Sequence, residues 1–357
     1  MMGRCTLFVA LLSVAGCGSS SSSGATPPAN DAGTSDANTT GDDASTTMPG
    51  ATWTATSPTP NNVVRWGMPW AYVASQKRFV GFGGNTNAAA AETWAFTPVD
   101  AKWTKLADTN APAPRYCQCT VALPDQNQLL VVGGRDDSGP LAAGAWTLDL
   151  ATNAWTAITG PVPSGVIGCM AAYMENQKRA IVFGGGSNSL THDTMSYDPV
   201  ARTFTLLSPA TSPPGRMDGM AAYDPGDGGR MLMFGGEYGI GAPTDDLWAF
   251  DGSDWKKLTP NGAAPGKRRV PGQAFDAKRR RWFVFGGTID TKDLKDVWVL
   301  DAATLTWTQL PDDTAPRARG FTSTGYDPES DSYFIFGGLL QPSDFPVRDG
   351  WQVKLGI

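Results

Sequence analysis

Six apolar runs in this chain end in paired glycines: RFVGFGG, LLVVGG, AIVFGG, MLMFGG, WFVFGG and YFIFGG. Their first glycines are Gly83, Gly133, Gly184, Gly235, Gly286 and Gly337, so successive gaps are 50, 51, 51, 51 and 51. A period near fifty built on short apolar runs means one β-sheet unit repeated around or along an axis, because no single unit can bury its own faces. Six periods of 51 make 306 residues, against 307 from Ala51 to Ile357.

Each period reads as four strands. In the fourth unit these are strand a over 219–225, strand b over 230–236, strand c over 246–251 and strand d over 255–260. The turn-forming stretches DPGDGG and GSD separate them. The b strands are near-continuous in apolar residues, as expected for strands covered on both faces. Tryptophans head strands c and d in four units: Trp94 and Trp103, Trp146 and Trp155, Trp248 and Trp255, Trp298 and Trp307. They suit wedges between adjacent sheets. The third unit has Met195 and Phe204 instead.

An apolar strand ending in Gly-Gly, a tryptophan followed by an aromatic-Asp pair, and then a second tryptophan resemble the Kelch repeat. The resemblance covers residues 51–357. It implies an all-β fold, a six-bladed β-propeller whose blades are four-stranded antiparallel sheets around a central channel. One departure is the position three after the residue that precedes each strand a (Arg65, Arg115, Val166, Arg216, Arg268 and Arg319), often histidine in that family. Here it is Met68, Gln118, Cys169, Gly219, Pro271 or Thr322.

The last unit ends at DGWQVKLGI with Trp351 and no strand d. Trp53 supplies the missing head, since it stands as far ahead of Arg65 as Trp103 stands ahead of Arg115 and Trp307 ahead of Arg319. The last blade is therefore expected to take strands a to c from the C-terminus and its outer strand from the N-terminus. This leaves no blade incomplete, with Ile357 the true end of the domain.

Residues 1–17 read as an export signal, with Arg4 before an apolar run too short to span a bilayer permanently. The small residues before Cys17 resemble the lipobox of bacterial lipoproteins, which implies lipidation of that cysteine; the alternative is an ordinary signal peptide. Gly18 in the next position leans the expectation toward the outer membrane. Residues 18–50 carry no aromatics and almost no aliphatic bulk, and read as a flexible tether.

Setting aside Arg4 and the tether acids Asp31, Asp36, Asp42 and Asp43, 28 basic and 34 acidic residues become 27 and 30. This near balance argues against a nucleic-acid partner. The single histidine, His192, removes most zinc and copper sites, and no cofactor or metal is expected. Of Cys117, Cys119 and Cys169, two could form a disulfide in an exported protein, or all three could be buried as small apolar residues.

Two sets of charges recur. Seven residues before the residue that closes each strand a stand Arg65, Arg115, Val166, Arg216, Arg268 and Arg319. Two residues before each strand-c head stand Glu92, Gly144, Asp193, Asp246, Asp296 and Asp349. Each arginine follows the acid of the preceding unit at a nearly constant interval, and the gaps at Gly144 and Val166 fall on one such pair. Paired loss suggests ion pairs between blades: Glu92–Arg115, Asp193–Arg216, Asp246–Arg268, Asp296–Arg319 and Asp349–Arg65. The competing expectation is an anion-binding mouth made by five guanidinium groups.

The b–c loops differ in every unit, the usual layout of a binding surface on a rigid frame. Arg135, Tyr238, Lys292 and Phe345 are the candidate contact residues there. Trp66 and Trp70 are a candidate stacking platform for sugars. The leading functional expectation is an envelope-anchored, non-enzymatic binding or scaffold protein. It would act as a monomer that engages a protein or glycan and touches the membrane only through its lipid. Two alternatives are a purely architectural envelope protein and an enzyme. The enzyme would resemble a periplasmic sialic acid mutarotase, with Glu237 as acid/base beside Arg216 or Arg268.

Overall fold

The computed structural model describes residues 50–356, apart from 57–62, 64, 142–143, 164–165, 188, 240 and 342–344. The expected export signal, Cys17 and the tether before residue 50 lie outside these. Six four-stranded antiparallel sheets, each ordered a-b-c-d, form the blades. Blade 1 has strand a at Trp70–Val73, b at Arg78–Phe82, c at Thr93–Thr97 and d at Lys102–Lys105. The other a strands are Cys119–Leu123, Met170–Met174, Met220–Asp224, Gly272–Asp276 and Ser323–Asp327. Each a strand contacts the a strands of both neighbouring blades, and together they form the wall of the channel.

Blade 6 is split as expected. Ala51–Ala55 is its outer strand and pairs with Gly350–Leu355, with Trp53 opposite Val353. Trp53 packs on Phe285 of blade 5 with ring centroids 5.4 Å apart. This contact repeats around the ring. Trp155 meets Phe82, Trp255 meets Phe183, Trp307 meets Phe234 and Trp103 meets Phe336 at 4.9 to 5.2 Å. In each case the head of strand d packs against the strand-b end of the preceding blade.

The core lies between blades rather than inside any one. Six apolar clusters each join residues of two consecutive blades, including the pair across the closure, where Phe79 and Phe96 pack on Phe334 and Phe336. The b strands are buried on both faces, with Phe79, Leu130, Ile181, Leu232, Phe283 and Ile335 at 0–1% exposure. A disulfide between Cys119 and Cys169 joins the inner strand of blade 2 to the start of blade 3. Cys117 is buried among Trp66, Tyr116 and Ile167.

The glycine pairs have two separate jobs. The first glycine of each pair has positive φ, and its missing Cβ leaves room for a carbonyl of the next blade. A Cβ on Gly83 would sit 2.2 Å from the Arg115 oxygen, and on Gly337 2.2 Å from that of Arg65. In blades 1, 2 and 6 the second glycine gives space to the arginine of its own blade: a Cβ on Gly84 would lie 3.1 Å from Arg65 Cδ.

Candidate functional site

The blade arginines lie at the end of the propeller where strands a and c begin. They pair with acids of their own blade, not of the blade before. Arg216 Nη1 donates to Asp246 Oδ1 at 2.5 Å and Nη2 to Oδ2 at 3.0 Å. Arg268 makes the same fork to Asp296 at 2.8 and 2.7 Å, Arg319 pairs with Asp349, and Arg65 with Glu92. The expected inter-blade pairs Glu92–Arg115, Asp193–Arg216, Asp246–Arg268, Asp296–Arg319 and Asp349–Arg65 are thus corrected. The side chain runs across the side-chain-free end of its own strand b. Its Nη1 donates to the first-glycine carbonyl, for example Gly83 at 2.6 Å and Gly286 at 2.9 Å.

What crosses between blades is backbone. The second glycine of each blade donates its N–H to the carbonyl at the next blade's arginine position. Gly84 donates to Arg115, Gly134 to Val166, Gly185 to Arg216, Gly236 to Arg268, Gly287 to Arg319 and Gly338 to Arg65. Because a carbonyl does this, Val166 serves as well as arginine.

Strand-c tryptophans complete three of these sites. Trp248 Nε1 donates to Asp246 and Trp298 Nε1 to Asp296, both at 2.7 Å, and Trp94 Nε1 to Glu92 at 3.2 Å. Burial pushes the Asp246 carboxyl up, but hydrogen bonds from Arg216, Thr244 and Trp248 outweigh it and hold the group well below the usual range. Asp296 and Asp349 are held low in the same way by Arg268 and Arg319. With four forks occupied by carboxylates, these guanidinium groups are not an open anion site. In blade 2, where Gly144 replaces the acid, the Arg115 guanidinium lies over the Trp146 ring at 4.0 Å. Burial lowers its pKa to about 10, partly offset by Asp136.

This end of the channel is closed by backbone. The residue two after each arginine position donates its N–H to the equivalent carbonyl of the preceding blade. The circuit runs through Gly67, Cys117, Gly168, Asp218, Val270 and Phe321 and returns to Gly67, with bonds of 2.7 to 3.2 Å. All six residues have φ between 48° and 64°, although only two are glycine. Trp66, Tyr116, Ile167 and Phe321 pack together at this end.

A charged group is built into the same closure. Arg269 Nε lies 3.6 Å from Glu237 Oε2, and Arg269 Nη1 lies 3.7 Å from Asp218 Oδ2. All three residues are buried. Burial pushes the Asp218 carboxyl up to about 7; Arg269 opposes the shift and Glu237 reinforces it. Glu237 therefore faces Arg269, not Arg216 or Arg268. At the opposite end the channel widens into a cavity of about 510 Å³, lined by Tyr72, Tyr173, Tyr223, Phe275 and Tyr326 from five blades.

Trp66 and Trp70 are not an exposed platform. Trp66 is 6% exposed, with edge contacts to Tyr116 and Phe321. Trp70 is 7% exposed and stacked on Phe79 at 4.6 Å. Of the loop candidates, Tyr238 is 43% exposed, with its ring against the Arg216 guanidinium at 4.9 Å. Lys292 is exposed at the tip of a long hairpin, and half-buried Arg135 stands over Tyr116 at 5.6 Å. Phe345 is placed by its backbone, in a two-residue strand opposite Leu340. The tryptophan donors and the backbone closure were missed in the sequence. The two-residue spacing of acid and tryptophan was visible, whereas backbone bonds have no side-chain signature.

Blade number, strand order and the Arg-Gly-Gly geometry define a Kelch-type propeller. A family model, the KLHDC2/KLHL20/DRC7 Kelch-repeats domain, matches residues 32–222 and 178–355, and the chain belongs to the Kelch-repeat family. Acyl-CoA-binding domain-containing protein 5 of Arabidopsis thaliana is 28% identical over 255 residues, covering 66% of this chain and 38% of that protein. Host cell factor 1 of Homo sapiens is 31% identical over 145 residues, 39% of this chain and 7% of that one. The flagellar outer-arm dynein alpha chain of Chlamydomonas reinhardtii is 35% identical over 121 residues, 31% and 3%. The chain thus spans well under half the length of each of these curated relatives.

Proposed function

We propose that this chain is a non-enzymatic binding propeller that docks a protein on its b–c loop face and is held to the cell envelope through lipid on Cys17. The observation that carries the docking reading is the construction of that face. In blade 5, strands b and c continue beyond the blade as a hairpin, Arg281–Ile289 against Lys292–Asp301. Blade 2 adds a short hairpin at Arg135–Pro140, and in blade 6 Leu339–Leu340 pairs with Phe345–Pro346.

Neighbouring loops are also tied together. Asn85 and the Ala89 N–H donate to Asp137 of the next blade at 2.9 Å, and the Gln341 N–H donates to Asp293 at 2.6 Å. A loop surface ordered before contact loses little conformational entropy on binding, which favours a folded partner. The channel below it is closed, so recognition falls to the loops. Envelope attachment rests on the residues around Cys17.

The test is a pull-down from envelope extract with the immobilised propeller and with a Tyr238→Ala/Lys292→Glu variant. One stoichiometric partner, lost in the variant, is expected; equal capture by both would remove this face from the proposal. A Cys17→Ser chain should leave the membrane fraction, and its retention there would refute the lipid anchor.

A further inference from the structure

Blade 3 keeps the acceptors of the arginine site, with Val166 in place of the arginine and Met195 in place of the tryptophan. Val166 starts where the arginines start: a Cβ added at Gly185 would lie 3.1 Å from Val166 Cβ, as one at Gly84 would lie 3.0 Å from Arg65 Cβ. Its carbonyl still accepts from Gly134 at 2.8 Å. The side chain then stops, and the acceptors that an arginine would reach remain. One is the Gly184 carbonyl, equivalent to the oxygens that take Arg65, Arg216, Arg268 and Arg319. The other is Asp193, which is exposed and whose carboxylate has no hydrogen bond or ion pair among the described residues.

A cavity of about 410 Å³ opens at this place, lined by Val166, Gly184, Asp193 and Met195, with Val182 and Leu206 as apolar walls. Met195 stands where the other blades carry the tryptophan, so this wall is softer and less bulky. The cavity therefore has a carboxylate, an inward carbonyl and a sleeve for methylene groups. In the sister blades that combination holds a guanidinium group.

We propose that blade 3 is a socket for a guanidinium group supplied in trans by an arginine side chain of the protein docked on the b–c face; this rests on the docking reading above. The acceptor set favours a planar fork over a point charge. Arg268 shows the pattern, with one N–H to Gly286 O at 2.9 Å and two to Asp296 at 2.8 and 2.7 Å. A metal ion would find a single carboxylate, with only the neutral Ser187, Ser189 and Thr191 and apolar groups beside it, a poor ligand set.

The test is NMR titration of the propeller with N-acetyl-arginine amide and, separately, N-acetyl-lysine amide. The arginine amide is expected to shift resonances of residues around 184 and 193 and to bind several-fold more tightly than the lysine amide. Val166→Arg, which fills the socket from within, and Asp193→Asn, which removes the charge at an exposed position, should each weaken binding about tenfold or more. No binding to the unaltered chain, or binding by both variants as tight as by the unaltered chain, overturns the socket. If Val166→Arg abolishes amide binding yet captures the envelope partner unchanged, the partner does not use the socket, and docking through the loops stands. If Tyr238→Ala/Lys292→Glu also captures it unchanged, the docking reading fails separately.

Discussion

Blades 3 and 4 are neighbours with the same strand order and opposite ends to their charge story. In blade 4 the Arg216 side chain is 0% exposed and that of Asp246 8%, and Thr244 and Trp248 also bond the carboxylate. In blade 3 valine and methionine replace the arginine and tryptophan, and Asp193 faces solvent. Both blades nevertheless make the same backbone link to the preceding one, Gly134 to Val166 and Gly185 to Arg216. The blade frame thus depends on glycines and carbonyls. The ion pair is an addition that closes one blade end, and blade 3 keeps the frame without it.

The comparison is broken most severely by removing one member of the blade 4 pair. Arg216→Ala leaves a buried carboxylate without its fork and should cost about 3–5 kcal/mol of unfolding free energy. Asp193→Ala, by contrast, should stay within about 0.5 kcal/mol. Urea denaturation of the two variants measures this, and equal costs would dissolve the distinction between the blades. The same change should cost progressively less in blades 5 and 6, because the acid is more exposed there, 23% at Asp296 and 37% at Asp349.

A double-mutant cycle sharpens it further. Arg216 and Asp246 should couple by more than about 1 kcal/mol, whereas Asp193 and Arg216 should add within about 0.5 kcal/mol. The reverse result would restore pairing between blades.

Acid unfolding separates two groups by sign. Asp246 and Asp296 are held below their ordinary value of 3.8, so their contribution is complete above about pH 4 and is lost as pH falls through their lower folded values. Asp218 behaves oppositely. Raised to about 7, it contributes below 3.8, and that contribution is lost as pH rises through 7. Asp218→Asn should therefore flatten the stability profile between pH 4 and 7 and leave the acid limb to Asp246. An unchanged profile in that window would show that Asp218 is ionised in the fold at little cost. Val166→Arg should give a small gain, up to about 1 kcal/mol from a pair with one exposed partner, read as a rise in Tm.

The strands of the fourth unit, Met220–Asp224, Arg230–Phe234, Leu247–Phe250 and Trp255–Leu258, are legible in the sequence almost to their ends. Periodicity makes this possible, because six copies average out the ambiguity of any one. The charge site was legible as a set of residues but not as a set of pairs. Glu92, Asp246 and Asp296 each have one arginine behind them in their own unit and another, slightly nearer along the chain, ahead of them in the next. The matching gaps at Gly144 and Val166 pointed to the wrong one, because they belong to different blades. Trp66 and Trp70 misled for a related reason, since an unusual tryptophan reads alike whether it fills a closure or faces a ligand.

The amino-acid sequence alone determined the number of blades, the order of their strands and the split closure at Trp53. These follow from where apolar runs, turns and glycine pairs recur along the chain, and covalent order carries that information. Only the tertiary structure decided which carboxylate each arginine meets, which end of the channel is closed and which arginine site keeps its acceptors without an arginine. Those depend on the path of a long side chain over a glycine end and on backbone bonds among six segments far apart in the chain. Neither leaves a mark in residue type.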